Sequence, residues 1–343
     1  MSGTTPAVVG TGFAVPEQVR TNDDPIFDWL REHAPGGPAL FTGYAERRVL
    51  GPGETVTWLM VEAARAALQA AGVGPENVDV LLGYGSVAEY ISPNTVAQVH
   101  AELGLAAGVP ALPFADDFTN FNSALVAADA LVRAGSVHTA LIVCGDNWTG
   151  YVDYRTPQSI SAGDGAGAAV VAPATSSAQF SLVDREHVTA SQDYGAMFMA
   201  ADAAGASWTA PYIHITPEGM KDFVSFGIGE APTLVSRLME RNGLQPSQVT
   251  LICHQASETL IASWQQTLGA ITILHTLPQY GNVVLAAIPV TLAARGNEIA
   301  TDHLILLGLG VQLQASALLL ARQPSVASAA ATSSTLAAAP QVA

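Results

Sequence analysis

The stretch GDGAGAAVV, residues 163–171, decides the fold. Its first half places glycines among small residues, which permits a tight turn and a close approach of neighbouring backbone. Its second half, 166–171, is an unbroken run of small and β-branched side chains. That is the pattern of a strand buried on both faces. Working outward, apolar runs of strand length recur at 7–14, 78–86, 112–115, 140–145, 182–188, 251–254, 303–307 and 312–321. Between them lie helical patterns. In 55–72, Val56, Leu59, Met60, Ala63, Ala67, Leu68 and Ala71 recur at spacings of three and four, and Gly72 and Gly74 stop the helix. Further helices are expected at 94–103, 121–133, from 255 to 268 and at 282–295, with one long helix or two in 217–242. Strands alternating with helices define an α/β architecture. The rhythm runs twice, over 1–175 and 176–322, and suggests an internal duplication without visible sequence identity. Residues 323–343 are Ala/Ser/Thr/Pro-rich and uncharged, and read as a disordered tail. The pair Gly10-x-Gly12 has no helix pattern behind it, so it reads as a turn or bulge rather than a phosphate loop.

Composition narrows the function. The chain has 343 residues, 49% of them hydrophobic and only 12% charged, against about 25% charged in average soluble proteins. No stretch resembles a membrane span of about 20 apolar residues, because glycine, glutamine and serine interrupt the apolar C-terminal region. The first residues lack the basic segment of a signal peptide, and two cysteines, Cys144 and Cys253, are too few for a disulfide framework. A cytoplasmic protein is expected. The net charge is −16, with Lys221 the only lysine. Such a field repels nucleic acid, and it disfavours an acidic carrier protein unless Arg237 and Arg241 form a local patch. The histidines outside 254 have no metal-type spacing, so no metal is expected.

Three segments stand out in order: GDGAGA (163–168), HQA (254–256) and YGN (280–282). With VPEQVRTNDD (15–24), TGYAERR (42–48) and ALVAADALVRAG (124–135), they make the chain resemble the ketoacyl synthase III branch of the thiolase superfamily over residues 7–321. The resemblance implies a thiolase-like fold, in which duplicated βαβαβ halves form a layered α-β-α-β-α sandwich. It implies a site between the halves at the base of an apolar tunnel. The substrate would be an acyl-CoA or acyl-carrier-protein thioester, with no tightly bound cofactor, and the protein a homodimer. In the family a Cys at a helix N-terminus takes up the acyl group while a His and an Asn stabilise an oxyanion or enolate. His254 and Asn282 take the latter two places.

The cysteine is missing. Aligning PALPFADDFTNFNSALVAAD (110–129) with the family's nucleophile segment puts Phe118 at the nucleophile position. Cys144 reads as a small buried strand residue, and strand alternation turns Cys253 away from the face of His254. Ser123 lies too far along its helix, and Thr119 points elsewhere. Asp116 and Asp117 precede Phe118, either as helix caps or as a carboxylate pair for acid–base work. The closing loop GLGVQLQA (308–315) is shortened and leaves Gly310 as an oxyanion donor. Trp29 and Arg155 are candidates to grip the adenine end of coenzyme A. Two main readings follow. One is an acyltransferase of specialised metabolism that works without an acyl-enzyme, with His254 as base and Asn282 in the oxyanion site. The other is a silent partner of a Cys-bearing ketosynthase in a heterodimer. A protein that binds acyl ligands without turnover is a third.

Overall fold

The computed structural model describes residues 5–90, 92–116, 118–176, 178–200 and 212–322. The expected tail 323–343 and Asp117 lie outside the described residues. Ten strands form the main sheet: β1 (Pro6–Ala14), β2 (Val80–Ser86), β3 (Ala111–Pro113), β4 (Ala140–Asp146), β5 (Gly165–Pro173), β6 (Phe180–Thr189), β7 (Val249–Cys253), β8 (Thr272–Leu274), β9 (His303–Gly310) and β10 (Gln314–Arg322). Their order is β8-β7-β9-β10-β6-β1-β5-β4-β2-β3.

Outward from the centre, the order 1-5-4-2-3 is followed on the other side by 6-10-9-7-8, the same order advanced by five. The pairing senses repeat too. β1–β5 and β5–β4 are antiparallel while β4–β2 and β2–β3 are parallel. β6–β10 and β10–β9 are antiparallel while β9–β7 and β7–β8 are parallel. The two sets meet in one antiparallel pair, Val8 with Phe180.

The helices are α1 (Asp28–His33), α2 (Val56–Ala71), α3 (Val96–Glu102), α4 (Asn120–Arg133), α5 (Pro217–Arg241), α6 (Glu258–Leu268), α7 (Leu277–Tyr280) and α8 (Ala287–Arg295). Local chemistry sets their ends. Thr55 accepts a hydrogen bond from Trp58 N and Gly72 closes α2 at φ 66°. Ser257 caps α6. The core has three main parts. In the middle, α4 and α8 pack between strands of both sets, with Phe121, Leu125, Ile142, Ile252, Ile288 and Leu306 buried together. One outer layer packs α2 and α3 on the first set, and the other packs α5 and α6 on the second. This is the five-layer α-β-α-β-α thiolase-like sandwich.

The region 217–242 is one helix, with Pro232 buried inside it. The helix expected at 282–295 is shorter. Its α-helical part begins at Ala287, after a 3-10 turn at Val284–Ala286. Val284 has φ 46°, which breaks the helical path and frees Asn282 to sit in a turn.

The glycines of the opening stretch are explained by what lies against them. A Cβ at Gly163 would fall 2.1 Å from the Tyr280 carbonyl oxygen, and one at Gly167 2.6 Å from Val290 N of α8. Gly10 and Gly12 play the same part for α2, and the register shift between Val8 and Gly10 is the expected bulge. Gly167→Ala should therefore destabilise the fold by about 1–3 kcal/mol, because backbone rather than a flexible side chain must move. Gly108→Ala, which meets nothing within 4 Å, should change stability by less than about 1 kcal/mol. Denaturant unfolding of the two variants checks the contrast.

Candidate active site

His254 directly follows β7, and its N–H donates to the Leu307 carbonyl, extending the parallel ladder to β9. Its ring lies parallel to that of Phe118, with 4° between the planes and 6.2 Å between centroids. His254 is 3% exposed. Burial pushes its pKa down to about 4, so the ring is neutral at pH 7.

Phe118 stands two residues before α4 with φ 85°. Its N–H donates to Asn120 Oδ1 at 2.8 Å, and Asn120 in turn donates to the Phe114 carbonyl. Its side chain packs against the cluster of Trp148, Val152, Ala162 and Val284. Phe118 thus joins the His254 side of the site to the Asn282 side.

Asn282 is held by its own backbone. Its N–H donates to the Ser161 carbonyl at 2.6 Å, and its carbonyl accepts from Gly163 N at 3.2 Å and from Trp148 Nε1 at 2.8 Å. Its Oδ1 accepts from Val284 N at 2.9 Å, which leaves the amide N–H groups as its donors.

The non-glycine residues with positive φ among the described residues are Phe118, Val284 and Leu313. Phe118 and Val284 pack together at this site, while Leu313 is buried in the cluster of Phe226 and Leu260. Leu313 neighbours Gln314, whose Nε2 donates to the Asp116 carbonyl at 2.7 Å and to Thr119 Oγ1 at 2.9 Å. Each such conformation costs about 1–3 kcal/mol and persists only where its surroundings fix it.

The TGYAERR segment straps the three motifs together. The Tyr44 hydroxyl donates to the Ala256 carbonyl, Ala45 N to the Pro278 carbonyl and Arg47 Nε to the Ile160 carbonyl at 2.6 Å. Arg47 is fully buried between the rings of Phe27 and Tyr44, and burial lowers its pKa to about 10. Asp164 accepts from Leu50 N, Thr149 N and Thr149 Oγ1. Burial raises its pKa to about 6. Asp146 nearby is held well above the carboxylate range, by burial first and then by Asp164.

Other candidates fall into place. Asp116 is committed to structure. One carboxylate oxygen accepts from Thr119 Oγ1 and Ser123 Oγ, and the other from Gln314 Nε2. The same bonds point Thr119 and Ser123 at that carboxylate. Gly310 pairs with Gln314 where the β9–β10 hairpin closes. Cys144 and Cys253 are buried, and burial raises both thiols far above neutrality. Trp29 is 41% exposed and stacks on His33, while Arg155 is exposed on a different segment. Their segments meet through Phe27 and Tyr154, whose centroids are 6.0 Å apart. Of the two arginines that could offset the net charge for an acidic carrier, Arg237 and Arg241, the second is already paired. Arg241 is bound by Asp184 at 2.8 Å and by Glu186.

Sequence reading missed Gln255 and Trp148. Gln255 is fully buried; it donates to Thr291 Oγ1 and accepts from Thr276 N, pinning α8 to the loop before α7. Among the described residues no helix is long and apolar enough to cross a membrane, and no three His, Cys, Asp or Glu side chains cluster as metal ligands.

This fold and this grouping of loops define a thiolase-fold protein of the condensing-enzyme class. A sequence model of 3-oxoacyl-(acyl-carrier-protein) synthase III matches residues 118–186. The β-ketoacyl-(acyl-carrier-protein) synthase III of Escherichia coli K12 is 31% identical over 306 residues, covering 88% of this chain and 94% of its own. Of solved structures, the 3-oxoacyl-(acyl carrier protein) synthase III of Pseudomonas aeruginosa aligns with a TM-score of 0.79 at 24% identity, over 94% of this chain and 99% of its own. The priming β-ketosynthase of the R1128 polyketide pathway aligns at 0.78 and 23% identity, over 94% and 98%. The chain belongs to the ketoacyl synthase III family.

Two outcomes are expected from an NMR titration of the His254 ring. In the parent protein it stays neutral down to about pH 4. In Phe118→Ala, which uncovers the ring, the midpoint moves up towards the free value of about 6.5.

Proposed function

We propose that the protein transfers an acyl group from a thioester directly to an acceptor, with no acyl-enzyme. The observation that supports this most is a phenyl ring, offering no nucleophile, that stacks on buried His254 and packs with Trp148, whose indole binds the carbonyl of buried Asn282. In this reading the acceptor's amine or hydroxyl attacks the thioester carbonyl while His254 takes its proton. The Asn282 amide donates to the oxygen that becomes negative in the tetrahedral intermediate. Collapse breaks the carbon–sulfur bond. The thiolate leaves and takes the proton from the imidazolium, giving acylated acceptor and free thiol.

A ring with a pKa near 4 is a weak base but a strong acid once protonated, so it suits the second proton transfer better than the first. The donor is an acyl-CoA or acyl-carrier-protein thioester. The protein works as a cytoplasmic homodimer in specialised polyketide or fatty-acyl metabolism, as the departure at position 118 from the family's cysteine suggests. Asp116 has no proton-transfer role in this reading, since its oxygens are taken up structurally.

A second reading has one observation in its favour. Phe118 is packed into the protein on both of its sides, as a plug in a silent partner of a Cys-bearing ketosynthase would be.

The test is thiol release from a panel of acyl and malonyl thioesters, with and without amine and alcohol acceptors. Release should fall by about 10²–10⁴-fold in His254→Ala, and intact mass should show no adduct. The rate should be flat from about pH 5 upward and fall only as pH approaches 4, because the lowered pKa keeps the ring neutral above that value. Absence of release from every donor would favour the partner reading, which co-purification with a Cys-bearing homologue would then establish.

A further inference from the structure

We infer that Trp148 is a positioning residue for Asn282, acting through the indole N–H. This rests on the reading that Asn282 presents its amide to the substrate.

Trp148 is only 5% exposed and lies just past the end of β4. Its backbone N–H donates to Asp146 Oδ1 at 3.0 Å, which anchors the residue to the strand. Its indole N–H donates to the Asn282 carbonyl at 2.8 Å, across 134 positions of sequence. The other donor to that carbonyl, Gly163 N, is more distant at 3.2 Å. The indole body packs with Val284 and Phe118. Val284 is also the residue whose N–H fixes Asn282 Oδ1. One side chain therefore holds both ends of Asn282: the carbonyl directly, and the side-chain amide through the packing of Val284.

The turn also keeps the bond from Asn282 N to the Ser161 carbonyl at 2.6 Å, which fixes the backbone before the Asn282 carbonyl and not the carbonyl itself. Val284 is held at φ 46°, a conformation that a β-branched residue leaves when released. Loss of the indole N–H leaves the Asn282 carbonyl with its weaker donor. The turn is then free to relax, which swings the amide away from where the oxyanion forms. An angular error of this kind lowers turnover without weakening ground-state binding.

Trp148→Phe keeps the aromatic body and removes only the donor. The side-chain amide signals of Asn282, assigned by their loss in Asn282→Ala, should shift and broaden in the ¹⁵N spectrum of Trp148→Phe. With any thioester that turns over, kcat should fall about ten-fold with KM unchanged. Added to Asn282→Ala, the same substitution should cost nothing more. Unmoved amide signals overturn the inference, and so does a loss that is additive with Asn282→Ala. If the parent protein turns over no thioester, the proposed function fails but the amide signals still decide the role of Trp148. Should Trp148→Phe fail to fold, hydrogen exchange of the indole N–H in the parent protein decides instead. Slow exchange supports the bond to Asn282, and exchange as fast as that of the exposed Trp29 overturns it.

Discussion

The structure depends on a short parallel bridge between Ala162 and Asn282. It joins the lead-in to β5, from the first half of the chain, to the loop before α8, from the second. Two backbone hydrogen bonds make it, Asn282 N to the Ser161 carbonyl and Gly163 N to the Asn282 carbonyl. Buried backbone groups left unpaired would be costly, so the bridge ties two distant segments into one site. The bridge needs backbone to touch backbone. That is why Gly163 and Gly281 carry no Cβ: one at Gly281 would fall 2.7 Å from the Ser161 carbonyl oxygen and 2.9 Å from Arg47 Cγ. Arg47 and Tyr44 then clamp the bridge from outside, and Trp148 from within.

Burial organises the electrostatics. His254, Asp146, Asp164 and Arg47 are all buried, and each pKa moves in the direction that burial dictates. At pH 7 this leaves His254 neutral, while Arg47, near 10, keeps its charge. The positive φ values at Phe118 and Val284 fall in one packed cluster, where the fold maintains strain against relaxation.

Much of this was legible in the sequence. The long helices α2 and α4 carried spacings of three and four, and the large strands carried continuous apolar runs. The three motifs that meet at the site were recognisable by resemblance. What the sequence hid was long-range or small. The strand order depends on pairings between distant segments, which no local pattern encodes. β8 has three residues and no pattern to find, and the same holds for the hairpin of Val19–Thr21 with Glu46–Arg48. The helix over 282–295 was drawn too long because Val283–Ala287 is apolar throughout, while the break at Val284 is a backbone feature with no composition signal. Trp148 looked like any aromatic, since its partner lies 134 residues away. Asp116 could be read as cap or as catalyst, and the positions of Ser123, Thr119 and Gln314 separate the two.

On the proposed reading, His254 and Asn282 keep the places of the family's His and Asn, and Phe118 stands where its nucleophile would be. Intact-mass analysis of Phe118→Cys after exposure to acetyl-CoA tests this most directly. A single acetyl adduct is predicted on the variant, formed at the introduced thiol and absent from the parent protein and from Phe118→Ser. A correctly folded variant that acquires no adduct from acetyl-CoA or from longer acyl-CoA donors would contradict the claim.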